Sequence, residues 1–255
     1  MKTFVIAEAG SCHDGSLEQA YRLIATAKEA GADACKFQFW SDAARLATRR
    51  RAPAYQPLYE KYRVPRDWLD DLKTWCDAAG LEFMCTVYLP EDVPVIAPYV
   101  ARFKIASFEA DDLDFIAAHV PYDKPILVST GMSSETPHPY WKVKYLHCVS
   151  AYPTPIDEAN LAVLRDPGFV GFSDHTADTL TGAFAVCASA SILEVHFRLD
   201  DTDTANPDYV TALDPAELAQ YVRYVRLAER LLGSPVKRIQ PSEAAMVPYK
   251  VACSS

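Results

Sequence analysis

The chain has 255 residues, half of them hydrophobic and just under a quarter charged, with no glycine- or proline-rich low-complexity excess, which excludes a disordered or fibrous chain. A formal net charge of −9 argues against nucleic acid or an anionic membrane as partner. The length suits one α/β barrel of about 250 residues and does not demand two domains.

Seven cysteines (Cys12, Cys35, Cys76, Cys85, Cys148, Cys187, Cys253) are scattered without CxxC pairs, several inside apolar runs, which reads as small hydrophobes in a reducing cytosol. The apolar part of MKTFVIAEAG is too short for a signal peptide and is followed at once by Glu8. No run of about 18 apolar residues occurs, so a cytoplasmic protein is expected.

In chain order, TFVIAEA reads as a strand, residues 17–30 as a helix, DACKFQFW as a strand, and 65–79 as a helix. EFMCTVY, a helix near 93–99, RFKIAS and a helix near 113–119 follow. PILVST, KVKYLHCV, a helix near 158–164, VGFSD, a helix near 180–189, ILEVHF and a long helix over 215–232 complete the chain. Eight strands in β/α alternation predict a closed (β/α)₈ TIM barrel, an α/β fold. An open doubly wound sheet would alternate in the same way, but no GxGxxG loop follows the first strand. The fifth unit is expected to be reduced, because GMSSETPHPYW carries two prolines and is too short for an ordinary crossover helix. The barrel is assigned to residues 1–235, and 236–255 to a C-terminal tail.

Residues 41–63 form a long connection, basic at Arg49, Arg50 and Arg51 and aromatic towards its end. Such a segment suits a lid over an anionic ligand, or a solvated loop with its arginines in water.

Barrel active sites are built where strands end. Those ends carry Glu8 and His13, Lys36 and Gln38, Thr86, Lys104, Ser107 and Glu109, Ser129, Ser150 and Tyr152, Ser173, Asp174 and His175, and His196. Lys36 and Lys104 interrupt buried strands, and burying an ammonium without an anion costs several kcal/mol. A ligand with phosphate and carboxylate groups, such as phosphoenolpyruvate, would satisfy both together with the nearby hydroxyls. The alternative is that each lysine pairs with a barrel carboxylate such as Glu8 or Glu109, or snorkels to the rim. His175 and His196 end adjacent strands, so their imidazoles could share a metal, with Mn²⁺, Fe²⁺, Co²⁺ and Zn²⁺ all compatible.

Taken in order, IAEAGSCHDG, GADACKFQ, LYEKY, FKIASFE, ILVSTGMSS, LHCVSAYPTP, GFSDHT and EVHFRLD resemble the N-acetylneuraminate (sialic acid) synthase family through nearly the whole chain. The resemblance implies a divalent metal, usually Mn²⁺, on His175 and His196. It implies phosphoenolpyruvate on Lys36, Thr86, Lys104, Ser107, Ser129 and Ser173, with Ser150 in one of two positions where the family carries a commoner polar pair. Glu8, Glu109, Tyr152 and Asp208 would face an aldehyde acceptor, with Asp208 in an ANPD segment one residue longer than the family's GPD. The implied reaction joins C3 of phosphoenolpyruvate to a metal-polarised aldehyde, adds water at C2 and releases phosphate by C–O cleavage, leaving a 2-oxo acid.

The sequence departs from the family at Cys12 (CHDG for NHNG), at Phe108 before Glu109, at Val195 before the second histidine and at Val149-Ser150. It also ends where the family continues into an antifreeze-like domain that supplies an arginine for the N-acetyl group. The expectation is therefore an acceptor other than N-acetylmannosamine, and a homodimer or a separate lid subunit to complete the site. Two other readings remain: a Schiff-base aldolase using Lys36 or Lys104, and a non-catalytic barrel that binds a phosphorylated ligand or a partner protein.

Overall fold

The computed structural model describes residues 2–133 and 142–251. Eight strands close a wholly parallel barrel in sequential order: β1 (Phe4–Gly10), β2 (Ala34–Phe39), β3 (Glu82–Val87), β4 (Phe103–Ile105), β5 (Ile126–Ser129), β6 (Val143–Cys148), β7 (Phe169–Asp174) and β8 (Ile192–His196). The barrel expected from the β/α alternation is the fold observed. Among the described residues eight α-helices accompany it: α1 (Leu17–Ala30), α2 (Ala43–Arg49), α3 (Gln56–Lys61), α4 (Trp68–Ala79), α5 (Val93–Ile96), α6 (Leu113–His119), α7 (Thr181–Cys187) and α8 (Pro215–Leu232).

The strand period of two sorts the side chains. On the inside, Ile6, Ala34, Met84, Leu127, Leu146 and Ile192 pack into one apolar plug. Two residues further along the same strands come Glu8, Lys36, Thr86, Ser129, Cys148 and Glu194, so the polar layer lies directly above an apolar floor. Register brings polar residues of neighbouring strands together: Glu8 is opposite Lys36 on β2 and His196 on β8, Thr86 is opposite Lys104, and Ser173 is opposite Glu194. The outward residues, including Phe37, Phe83, Phe103, Phe172 and Leu193, pack with Leu23, Leu69, Leu72 and Tyr221 of the helices into the main core.

Local signals account for the helix ends. Ser16 caps α1 by accepting from Gln19 N–H, and Gly31 ends it at φ 84°. Asp214 and Glu217 form a capping box at the start of α8, with Pro215 in its first turn. Two expectations need correction. The helix placed near 158–164 is instead a pair of 3₁₀ turns, Ile156–Glu158 and Leu161–Arg165, because Asn160 between them adopts φ 46° and breaks any continuous helix. The 41–63 connection is not a simple loop, since α2, a 3₁₀ turn and α3 fold it over the barrel mouth. The reduced fifth unit falls largely on residues 134–141, which lie outside the described residues. Beyond α8, residues 233–251 are exposed and carry two 3₁₀ turns. Among the described residues no helix is long and apolar enough to cross a membrane.

Candidate active site

A cavity of about 360 Å³ opens at the C-terminal mouth of the barrel. Its wall gathers Glu8, Lys36, Lys104, Ser107, Ser129, Tyr152, Ser173, His175, His196 and Asp208 from seven strands or the loops that follow them. Thr86 is buried just beneath, hydrogen-bonded to Lys36.

The two lysines are fully desolvated and both are paired. Lys36 Nζ donates to Thr86 Oγ1 at 2.9 Å and lies 2.8 Å from Glu8 Oε2 and 3.6 Å from Glu194 Oε1. Lys104 Nζ donates to Ser129 Oγ at 2.8 Å and to the Ile105 carbonyl at 3.0 Å, with Glu194 Oε2 at 3.5 Å. The expectation that buried lysines require an outside anion is thus corrected, because Glu8 and Glu194 supply the counter-charge. Glu109, considered as a partner for them, pairs instead with Arg50 at 3.1 Å.

The pairing divides the lysines. Burial pulls Lys36 down, but Glu194 and Glu8 outweigh it and leave its ammonium raised. Burial dominates at Lys104, which lies below its ordinary value despite Glu194. Glu194 is itself buried, yet Lys104 and Lys36 hold its carboxyl down at about 2. The network continues outward: Gln38 Nε2 donates to Glu8 Oε1 at 2.7 Å and Tyr88 Oη donates to Gln38 Oε1 at 2.7 Å.

His175 and His196 face each other with ring centroids 5.5 Å apart, and the Tyr152 ring lies 4.3 Å from that of His175. His175 Nδ1 lies 2.7 Å from the Val149 carbonyl, so Nδ1 carries the proton and Nε2 keeps its lone pair. Burial, then the neighbouring His196, lowers His175 to about 4, which leaves it neutral at pH 7. Among the described residues His196 Nδ1 is buried without a hydrogen-bond partner, and Asp208 Oδ1 is 4.0 Å away. A neutral imidazole with a free nitrogen and an orphaned buried ring nitrogen fit a metal. Among the described residues no group of three or more His, Cys, Asp or Glu side chains is placed to hold a metal ion, so these two residues would be its only such ligands there.

Asp208 reaches the cavity despite its longer loop. Its Oδ2 accepts from Ser11 N–H at 2.8 Å and Ser11 Oγ at 2.7 Å, while Asn206 Nδ2 donates to the Ser11 carbonyl at 2.9 Å. Gly10, at φ 52°, makes room, since a Cβ there would stand 2.3 Å from Asp208 Oδ2. Two more of the expected residues, besides Thr86, lie off this wall: Ser150 sits behind it and donates to Ser107 Oγ at 2.7 Å, and Glu109 lines the neighbouring cavity. Burial pushes the Cys12 thiol upward, so it behaves as an inert hydrophobe there.

The 41–63 segment lines the cavity and its arginines divide. Tyr55, Leu58, Tyr59 and Tyr62 line the cavity from above. Arg49 pairs with Asp112 at 2.6 Å and Arg50 turns inward, while Arg51 is exposed. Sequence reasoning missed Glu194 and Tyr88, and it named Arg50 only together with Arg49 and Arg51. Glu194 carried a signal, since in ILEVHF it stands two residues before His196 and so shares its inward face.

Residues 23–237 match the model of the NeuB family. An N,N'-diacetyllegionaminic acid synthase from Legionella pneumophila is 32% identical over 274 residues, covering 95% of this chain and 77% of that protein. An uncharacterised protein of Methanocaldococcus jannaschii is 31% identical over 263 residues, covering 96% and 76%. The crystal structure of the N-acetylneuraminic acid synthetase from Leptospira borgpetersenii, in complex with citrate, superimposes with a TM-score of 0.87 at 25% identity, covering 98% of this chain and 91% of that one. With this match across most of its length and a closed parallel barrel to go with it, the chain belongs to the NeuB family.

Proposed function

We propose that this protein condenses phosphoenolpyruvate with a sugar-type aldehyde to give a 2-oxo acid and phosphate, with a divalent metal, Mn²⁺ in the first instance, held by His175 and His196. The observation that carries the reading is the convergence of two buried lysines, a ring of hydroxyls and two facing histidines on one cavity, in a chain of a family whose members include acidic-sugar synthases.

Lys36 and Lys104, with Thr86, Ser107, Ser129 and Ser173 as neutral donors, would hold the phosphate and carboxylate of phosphoenolpyruvate. Ser150 would orient Ser107 from behind through its 2.7 Å hydrogen bond. Glu194 would keep both ammonium groups charged and aimed at one point. Glu8, Tyr152 and Asp208 would face the aldehyde. Fixed to Lys36 and Gln38, Glu8 is placed to take the proton of the water that adds at C2. A bound metal would supply Lewis acidity at the aldehyde oxygen. The lid's tyrosines would exclude bulk water.

One observation favours a second reading. Lys104, drawn down by burial, has the property a Schiff-base aldolase would need. Borohydride trapping of a carbonyl substrate on Lys104 would support that reading, and it leaves the two histidines without a role.

The test is phosphate release from phosphoenolpyruvate with Mn²⁺ across a panel of aldoses and N-acylated aldoses, with and without EDTA. Aldehyde-dependent, EDTA-sensitive release is expected. Phosphoenolpyruvate binding without release under any acceptor would favour a non-catalytic barrel.

A further inference from the structure

Arg50, the residue that caps the C-terminus of α2, leaves the lid and crosses the cavity mouth to Glu109, which follows β4. Its guanidinium carbon stands 4.5 Å from the ring centroid of Tyr88, 4.9 Å from Phe108 and 5.9 Å from Tyr59, so aromatic faces hold it in place. With Tyr55, Tyr59 and Phe108, the side chain lines both the candidate active-site cavity and an adjoining cavity of about 600 Å³ that Glu109 also lines.

The ion pair is incomplete. Arg50 Nε and Glu109 Oε2 are both buried and have no hydrogen-bond partner among the described residues. An atom left unsatisfied in this way is costly, and native interiors rarely leave one. Here a donor and an acceptor remain from one pair, whose charges cancel. The complementary group is neutral and presents an acceptor oxygen beside an O–H or N–H, as a vicinal diol or an acylamido substituent does. A phosphate would meet the Glu109 carboxylate at the same point.

We infer that Arg50 is a specificity-determining residue, which together with Glu109 reads a neutral donor–acceptor group on the far end of the acceptor. The inference rests on the proposed condensation for the identity of that acceptor, and it explains how a residue of this chain's own lid can take part in acceptor recognition. Phe108, half exposed at 56% and packed against the guanidinium, would close the pocket on its apolar side.

Calorimetry tests this without requiring turnover. Plain aldoses, N-acylated aldoses and aldose phosphates are titrated into the protein with Mn²⁺ present and phosphoenolpyruvate left out, and phosphoenolpyruvate is titrated separately, for the unaltered chain, Arg50→Gln, Arg50→Lys and the exposed lid control Arg45→Gln. The unaltered chain and Arg45→Gln should bind neutral sugars and discriminate against phosphates. Arg50→Gln should weaken neutral-sugar binding about tenfold or more, with phosphoenolpyruvate affinity retained. Arg50→Lys keeps the charge pairing that supports the fold, and it should recover only part of the loss because it lacks the planar fork. Comparing plain with N-acylated sugars separates a diol from an acylamido ligand. An unaltered chain that binds none of the sugars, or prefers phosphates, overturns the inference, as does Arg50→Gln binding them undiminished. Equal weakening of phosphoenolpyruvate in Arg50→Gln would assign the residue a structural role instead. Discriminating binding without phosphate release would overturn the proposed reaction and leave the role of Arg50 standing.

Discussion

Glu194 on β8 and Lys104 on β4 meet across the barrel, Oε2 to Nζ at 3.5 Å, although their strands stand on opposite sides of the eight-stranded ring. The same carboxylate reaches Lys36 at 3.6 Å, so one anion serves two desolvated ammonium groups. Removing one partner of a buried pair strands the other charge, at a cost of about 3–5 kcal/mol. Glu194→Gln should therefore lower unfolding stability by about 3 kcal/mol in urea titrations. Replacing both ends, Lys104→Met with Glu194→Leu, should restore most of that loss. A loss below about 1 kcal/mol in the single variant would mean that the lysines are not desolvated as described.

The histidine pair makes a separate prediction. His175→Ala or His196→Ala should abolish Mn²⁺-dependent phosphate release and lower the Mn²⁺ retained after gel filtration, measured by mass spectrometry of the metal. Circular dichroism should show the fold intact, because each ring fills a cavity wall and neither lies in the main core. Full activity in either variant would remove the metal from the proposal.

Much of the barrel was legible because strand alternation is a local property. Ile6 with Glu8, Ala34 with Lys36 and Ile192 with Glu194 show the inward period directly. Ring positions such as Ser129 and Ser173 could therefore be placed at strand ends without coordinates. Pairing between distant strands was not legible. Nothing near Lys104 in sequence announces Glu194, and the burial argument for an outside anion failed for that reason. Asn160 is a similar case: a left-handed backbone at one residue turned an apparent helix into two 3₁₀ turns. Arg50 could not be separated from Arg49 and Arg51 by composition, since only the fold of the lid decides which of them points inward.

Acid stability follows from buried histidines. His13 and His119 are each lowered to about 4 by burial, and both are wholly inaccessible. His119 Nδ1 lies 2.8 Å from the Phe115 carbonyl and its ring abuts Phe103 and Phe115. A folded value below the unfolded one of about 6.5 means that the unfolded chain binds more protons in that window. The stability each histidine contributes is complete above about pH 6.5 and is lost as pH falls towards 4, at up to about 1.4 kcal/mol per pH unit. Urea midpoints measured from pH 7 to 4.5 should fall steadily. In His119→Gln, whatever its stability at pH 7, the slope should be shallower. An unchanged slope would mean that His119 already titrates in the folded state.

The last prediction joins fold and site at Gly171. A Cβ there would lie 2.0 Å from the Ile192 carbonyl oxygen and 2.8 Å from its carbon, and these are backbone atoms that no rotamer change can move. The same strands, β7 and β8, run on to Asp174 and His196, and His175 follows directly, so separating them at the floor would shift the two imidazoles at the mouth. Gly171→Ala should cost about 3 kcal/mol of stability, at the upper end for overpacking, and should also weaken Mn²⁺ binding although residue 171 lies outside the cavity wall. Gly131→Ala is the comparison. Its nearest obstacle is Ser150 Oγ at 2.1 Å, the end of a side chain that can rotate. It should disturb the Ser150–Ser107 hydrogen bond, and so phosphoenolpyruvate affinity, at a smaller cost in stability. If both variants lose stability equally and leave Mn²⁺ binding alone, the spacing of β7 and β8 does not govern the histidine pair.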